Sequence, residues 1–120
     1  MSNNNFILIA EDESIISLDI KRILEKSGYT MVSIVRDGEA LLNKIQKELP
    51  SLIIMDIYLN GRANGIELAH RIWEKNNIPV IFISGMDMKF LKKNLDFTKC
   101  AFVKKPFAET DLMEAVKKFF

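Results

Sequence analysis

Along the chain, short apolar runs alternate with longer amphipathic ones. FILIA (6–10) and LIIM (52–55) are almost uniformly apolar and too short for helices, which is the pattern of parallel strands buried on both faces. MVSIV (31–35), VIFIS (80–84) and CAFV (100–103) predict three more strands. Between them the apolar spacing switches to three and four. Ile16, Ile20, Ile23 and Leu24 line one face of a helix that Ser14 can cap and Gly28 ends. Asp37 can cap a second helix carrying Leu41, Leu42 and Ile45, stopped before Pro50. Asn64 followed by Glu67 resembles a capping box for a third, with Leu68, Ala69 and Ile72 inward. Asp87 starts a short fourth through Phe90, Leu91 and Leu95, and the last helix holds Leu112, Met113, Val116 and Phe119.

Five strand–helix units with short connections predict an α/β fold, an open parallel sheet with helices on both faces. Right-handed crossovers to both faces require one reversal of strand order, and ligands in such sheets sit outside the carboxyl ends of the strands near that reversal. The 120 residues suffice for one domain with its own core. A net charge of +1 gives no general field for nucleic acid or membrane, although residues 86–120, with 8 basic and 5 acidic side chains, are mildly basic. Cys100 is the single cysteine, so no internal disulfide forms and a reducing compartment is expected. The start lacks the basic flank and long apolar region of a signal peptide, and no run approaches the ~20 apolar residues of a membrane span. The expected location is cytoplasmic.

The carboxyl ends of the predicted strands hold the chemistry. The first strand runs into Glu11, Asp12 and Glu13; the third ends at Asp56, the fourth at Ser84, and the fifth leads to Lys105 and Pro106. The second offers only Arg36 and Asp37. Stacked carboxylates repel, and burying them is costly. Glu11, Asp12 and Asp56 converging on one edge suit a hard divalent cation with oxygen ligands, Mg2+ above others. A lysine and a hydroxyl beside them suit a phosphoryl group. The set describes phosphoryl transfer to an aspartate.

The motifs ILIAEDES, LIIMDIYLNGRANGIELA, VIFISG and FVKKPF, spread over nearly the whole chain, resemble those of the receiver domain of two-component response regulators. That resemblance implies a (βα)5 doubly wound, flavodoxin-like fold with strand order 2-1-3-4-5. It implies Asp56 as phosphoacceptor, and Mg2+ (or Mn2+) held by Glu11, Asp12, Asp56 and the Ile57 backbone carbonyl. Ser84 and Lys105 would meet the phosphoryl group, Phe102 would stand at the aromatic switch position, and the Lys105–Pro106 bond would be cis. Tyr58 and Met86 would flank the path of a hydrolytic water and lengthen the life of the phosphorylated form. The partners implied are a histidine kinase or histidine phosphotransfer protein, and a downstream protein target or an output domain elsewhere. The output would be the face made by the predicted helix from Asp87, the strand 100–103 and the last helix. The protein would be a monomer or a phosphorylation-dependent dimer.

The chain departs from the family in places. Phe102 replaces the commoner tyrosine, DFTKCAF lacks the usual small residues, and nine positions separate Asp56 from Gly65. The loop NGRANG fits a subgroup reading D-I-x-L-x-G-x-x-D/N-G-I-E. Other classes fare worse. A haloacid-dehalogenase-like phosphohydrolase wants an aspartate where Tyr58 stands. A flavin site would set its phosphate against EDES. Neither nucleotide-binding glycine fingerprint is present. A non-phosphorylated pseudo-receiver acting as an interaction module is the remaining alternative, although such chains lose one of the acidic, acceptor or lysine positions. His70 and Trp73 are expected on a helix surface and edge, and Cys100 as a small buried residue. The expectation is one receiver domain over residues 1–120, with no output domain within it, acting as a phosphorylation switch rather than an enzyme.

Overall fold

The computed structural model describes residues 5–59, 62–85 and 95–120, with backbone only at Arg62 and Ala63. The expected helix from Asp87 and the position of Met86 lie outside these. Five parallel strands form one sheet: β1 (Phe6–Ala10), β2 (Met31–Val35), β3 (Leu52–Asp56), β6 (Val80–Ser84) and β7 (Cys100–Lys104), in the order β2-β1-β3-β6-β7. Counted within the sheet alone, this is the expected order 2-1-3-4-5. Register is continuous, from Ala10 beside Val35 and Met55 to Ser84 beside Lys104.

The central strands β1, β3 and β6 are buried at every residue, which is why their sequences show no alternation. The edge strand β2 is only partly covered, and Met31 is exposed. Side chains of alternating strand positions fill two cores. On one face, α2 (Gly38–Lys47) and α3 (Gly65–Trp73) bring Leu41, Ile45, Leu68, Ala69 and Ile72 onto Leu8, Ile53, Met55 and Phe82. On the other, α1 (Ser14–Lys26) and α4 (Glu109–Phe119) bring Ile20, Ile23, Leu24, Leu112 and Val116 onto Ile7, Ile9, Ile54 and Ile83. Each fully buried Leu, Ile or Phe contributes roughly 1.5–3 kcal/mol, so the pattern of alternating faces fixes the fold.

Local signals hold in part. Asp37 caps α2, its Oδ1 accepting from Ala40 N at 2.7 Å. Gly28 ends α1 at φ +99°. Two caps differ from expectation. Ser14 is already helical; Glu13 takes the cap position without a side-chain bond, and the Ser17 hydroxyl donates to the Ser14 carbonyl at 3.1 Å. Asn64 precedes α3 but makes no capping bond, and its Oδ1 is buried without a partner. An unforeseen element, the antiparallel pair β4 (Tyr58–Leu59) and β5 (Arg62–Ala63), has its first strand before NGRANG and its second within it.

An aromatic row crosses the molecule. Trp73 meets Phe82 edge-on at 6.3 Å, Phe82 meets Phe102 at 5.2 Å, and Phe102 meets Phe97 at 6.1 Å. The Trp73 indole N–H donates to the Ile78 carbonyl at 2.8 Å. His70 packs edge-on against Trp73 from the exposed side of α3, and Cys100 is buried, both as expected.

Candidate functional site

The carboxyl ends of β1, β3, β6 and β7 come together at one edge. Glu11 follows β1, Asp56 closes β3, and Ser84 closes β6; all three are buried. Asp12 is half-buried beside them, and one carboxylate oxygen from each of Glu11, Asp12 and Asp56 lies within 4.8 Å of the others. Lys105, just past β7, reaches across the sheet. Its Nζ donates to Glu11 Oε1 at 2.7 Å and to Asp56 Oδ2 at 3.0 Å. The second oxygens are held by backbone: Glu13 N donates to Glu11 Oε2 at 3.2 Å, and Tyr58 N donates to Asp56 Oδ1 at 3.0 Å. Beside this network opens a cleft of about 420 Å³ lined by Asp12, Glu13, Asp56, Tyr58, Ser84, Gly85 and Lys105.

Among the described residues the Lys105 ammonium bonds two of the clustered carboxylates, Glu11 and Asp56. Burial pushes the Glu11 carboxyl up to about 7; the bond from Lys105 opposes this, and the charge of Asp56 adds to it. Lys105 is held above the usual lysine value: burial alone would lower it, but the bonds to Glu11 and Asp56 outweigh that cost.

The other expected residues fall at or near this edge. The Lys105–Pro106 peptide is cis. Lys105 N donates to the Ser84 carbonyl at 2.8 Å, tying the ends of β6 and β7 together. Phe102 lies inside β7, partly buried against Phe82. Tyr58 is partly buried on the α2–α3 side. The Ile57 carbonyl accepts from Gly65 N at 2.9 Å, so one of its two lone pairs is engaged within the protein.

Two residues without an expected role prove structural neighbours of the site. Gly65 packs so closely that a Cβ there would lie 2.7 Å from both the Asp56 carbonyl oxygen and Ile57 Cα. Its position in the N-G-I-E motif was the available signal. Arg36, at the end of β2, donates from its guanidinium to the Asp12 carbonyl at 2.9 Å. Only its place at a strand end hinted at this. Beside the cleft, sharing Lys105, runs an apolar groove of about 680 Å³ lined by Ile15, Ile16, Leu18, Pro106 and Phe107. Ile15 is 86% exposed.

Comparison with known proteins identifies a family and a shared fold. The family described as "Response regulator receiver domain" matches residues 7–117. The transcriptional regulatory protein PdtaR of Mycobacterium tuberculosis is 31% identical over 112 residues, covering 92% of this chain and 54% of PdtaR. The chain thus spans about half the length of that relative. The solution structure of the PhyR receiver domain of Erythrobacter litoralis superposes with a TM-score of 0.82 at 25% identity, covering 96% of this chain and 88% of that one. The crystal structure of the response regulator PhyR from Brucella abortus gives 0.81 at 30% identity, covering 98% of this chain and 48% of that one. Among the described residues no helix is long and apolar enough to cross a membrane.

Proposed function

Because the chain belongs to the response regulator receiver domain family of two-component signalling, we propose that it is a phosphorylation switch whose acceptor is Asp56. The observation that carries the reading is the shared lysine: Lys105 bridges Glu11 and Asp56 while Asp12 stands half-exposed at the same cleft. Three converging carboxylates fit a hard divalent cation, Mg2+ or Mn2+. Glu11, Asp12 and Asp56 would hold it, with the remaining lone pair of the Ile57 carbonyl as a further donor. When bound, the cation supplies positive charge against the oxygens of the transferring phosphoryl group.

The chain's own residues do the rest. Tyr58 N–H fixes Asp56 Oδ1, which leaves Oδ2 as the attacking oxygen. Lys105 exchanges its bond to Oδ2 for one to the phosphoryl oxygens. The Asp56 Oδ2–phosphorus bond forms as the bond to the donor's histidine nitrogen breaks, and that electron pair returns to the imidazole. Ser84 contributes a hydroxyl to the phosphoryl group, and Phe102 follows it. The response is read on the face of β7 and α4, by a downstream protein or an output domain. Tyr58, beside the acceptor, obstructs the hydrolytic water and keeps the phosphorylated form long-lived. The donor is a histidine kinase or phosphotransfer protein, which must cover the mouth of the cleft, where the exposed Ile15 and Leu18 offer apolar surface. Localisation is cytoplasmic.

Intact mass after incubation with acetyl phosphate and Mg2+ tests the reading. Wild type should gain one phosphoryl group, and Asp56→Asn none. An unlabelled wild type would overturn it in favour of a non-phosphorylated interaction module, and equal labelling of Asp56→Asn would overturn Asp56 as the acceptor.

A further inference from the structure

We infer that Arg36 is a positioning residue for the acidic loop between β1 and α1, holding the Asp12 main chain so that its carboxylate stays within the acidic cluster. The inference rests on the reading of that cluster as a cation site. Residues 11–13 carry two of the three converging acids, and the mutual repulsion of like charges favours movement of this loop away from Asp56. Two bonds to the end of β2 oppose that movement. Glu11 N donates to the Val35 carbonyl at 3.0 Å, and the Arg36 guanidinium donates to the Asp12 carbonyl at 2.9 Å, across 24 positions of sequence.

Arg36 stands on a rigid base. On one side, Val35 is paired in register with Ala10; on the other, Asp37 caps α2 through Ala40 N. Its root is thus set by the sheet and the helix together, and its guanidinium reaches the loop from outside. The bond goes to a main-chain oxygen, so Arg36 acts through Asp12 and does not compete for the carboxylate.

Charge and positioning predict opposite signs. A guanidinium beside a cation site repels the cation, so if charge were the whole effect, Arg36→Ala would tighten Mg2+ binding. If Arg36 positions the loop, Arg36→Ala weakens it, by roughly 5- to 10-fold for one lost charged hydrogen bond. Arg36 is exposed, so its variants leave both cores intact.

The experiment is Mg2+ titration by calorimetry of wild type, Arg36→Ala, Arg36→Gln and Arg36→Lys, with amide exchange of residues 11–13 in metal-free buffer. The expected result is weaker binding and faster exchange at the Glu13 amide in Arg36→Ala, with recovery in Arg36→Gln, which keeps an N–H donor without the charge. Equal or tighter binding by Arg36→Ala, or recovery by lysine and not by glutamine, would overturn the positioning role. If wild type itself binds no Mg2+, the cation reading fails separately. The exchange comparison then decides alone: an unchanged Glu13 amide in Arg36→Ala overturns the inference, and a faster one sustains it.

Discussion

At the scale of single residues, the site is defined by how Lys105 is shared between two carboxylates. Lys105 bonds both Glu11 and Asp56, but it can neutralise only one of them. Glu11 bears the consequence, with its carboxyl raised to about 7. Between pH 4.5 and about 7 the folded protein holds a proton that the unfolded chain releases. Glu11 therefore contributes stability that is present below about 4.5 and lost as pH rises through about 7, on the order of 1–3 kcal/mol. In metal-free buffer Glu11→Gln should match wild type near pH 5 and melt higher at pH 8; a difference that stays constant with pH would refute the assignment. The same proton must leave before a cation is fully held. Apparent Mg2+ affinity should accordingly fall as pH drops through about 7, and a flat profile from pH 8 to 6 would speak against it. The acids themselves were plain in the sequence as EDES and the end of LIIMD. How Lys105 divides between them was not, because its partners stand 94 and 49 positions away.

At the scale of elements, the hydrophobic period was a good guide where elements are long and the surrounding contacts agree with it. All five sheet strands, α1, α2, α3 and α4 follow from it. Its failures have local causes. The β4–β5 pair consists of two-residue strands, too short for any period to register. Ser14 and Asn64 look like caps, yet β1 leads the chain into α1 with Glu13 extended at φ −86°, ψ 112°, and Asn64 takes a helical backbone at φ −116°, ψ −2°. The start of α3 is instead set by contact with the end of β3, through Gly65. Gly65→Ala should destabilise the domain by about 1–3 kcal/mol, since the new methyl meets backbone that no rotamer change can move. Gly85→Ala, whose Cβ would find among the described residues only Lys105 Cβ at 3.9 Å, serves as the contrast. Equal melting temperatures for the two variants in chemical denaturation or heating would show that the close approach at Gly65 is relieved elsewhere. Farther round, Lys118 in the last turn of α4 donates to the Phe97 and Cys100 carbonyls at 2.8 and 3.1 Å. Lys118→Met should speed amide exchange in residues 97–100 while leaving β1 and β3 unchanged.

At the scale of the whole molecule, strand order was legible because crossover handedness leaves few arrangements for five alternating units. What the order could not convey is the division of labour between the two cores. The sheet separates them, and Phe82 and Phe102 project into the α2–α3 side, away from α1 and α4. That placement makes the aromatic row a built-in optical reporter. Trp73 is the sole tryptophan, its indole is pinned to the Ile78 carbonyl, and one ring, Phe82, separates it from Phe102, the proposed switch position. A reorientation of Phe102 would change the packing that Trp73 senses through Phe82, so the state of the proposed acceptor Asp56 should be readable as fluorescence intensity in unlabelled protein. Acetyl phosphate with Mg2+ should change the emission of wild type and leave that of Phe102→Leu nearly constant. An equal change in both would mean that the signal travels by another route, but where the row does carry it, the kinetics of phosphorylation and decay can be timed continuously, from one native fluorophore.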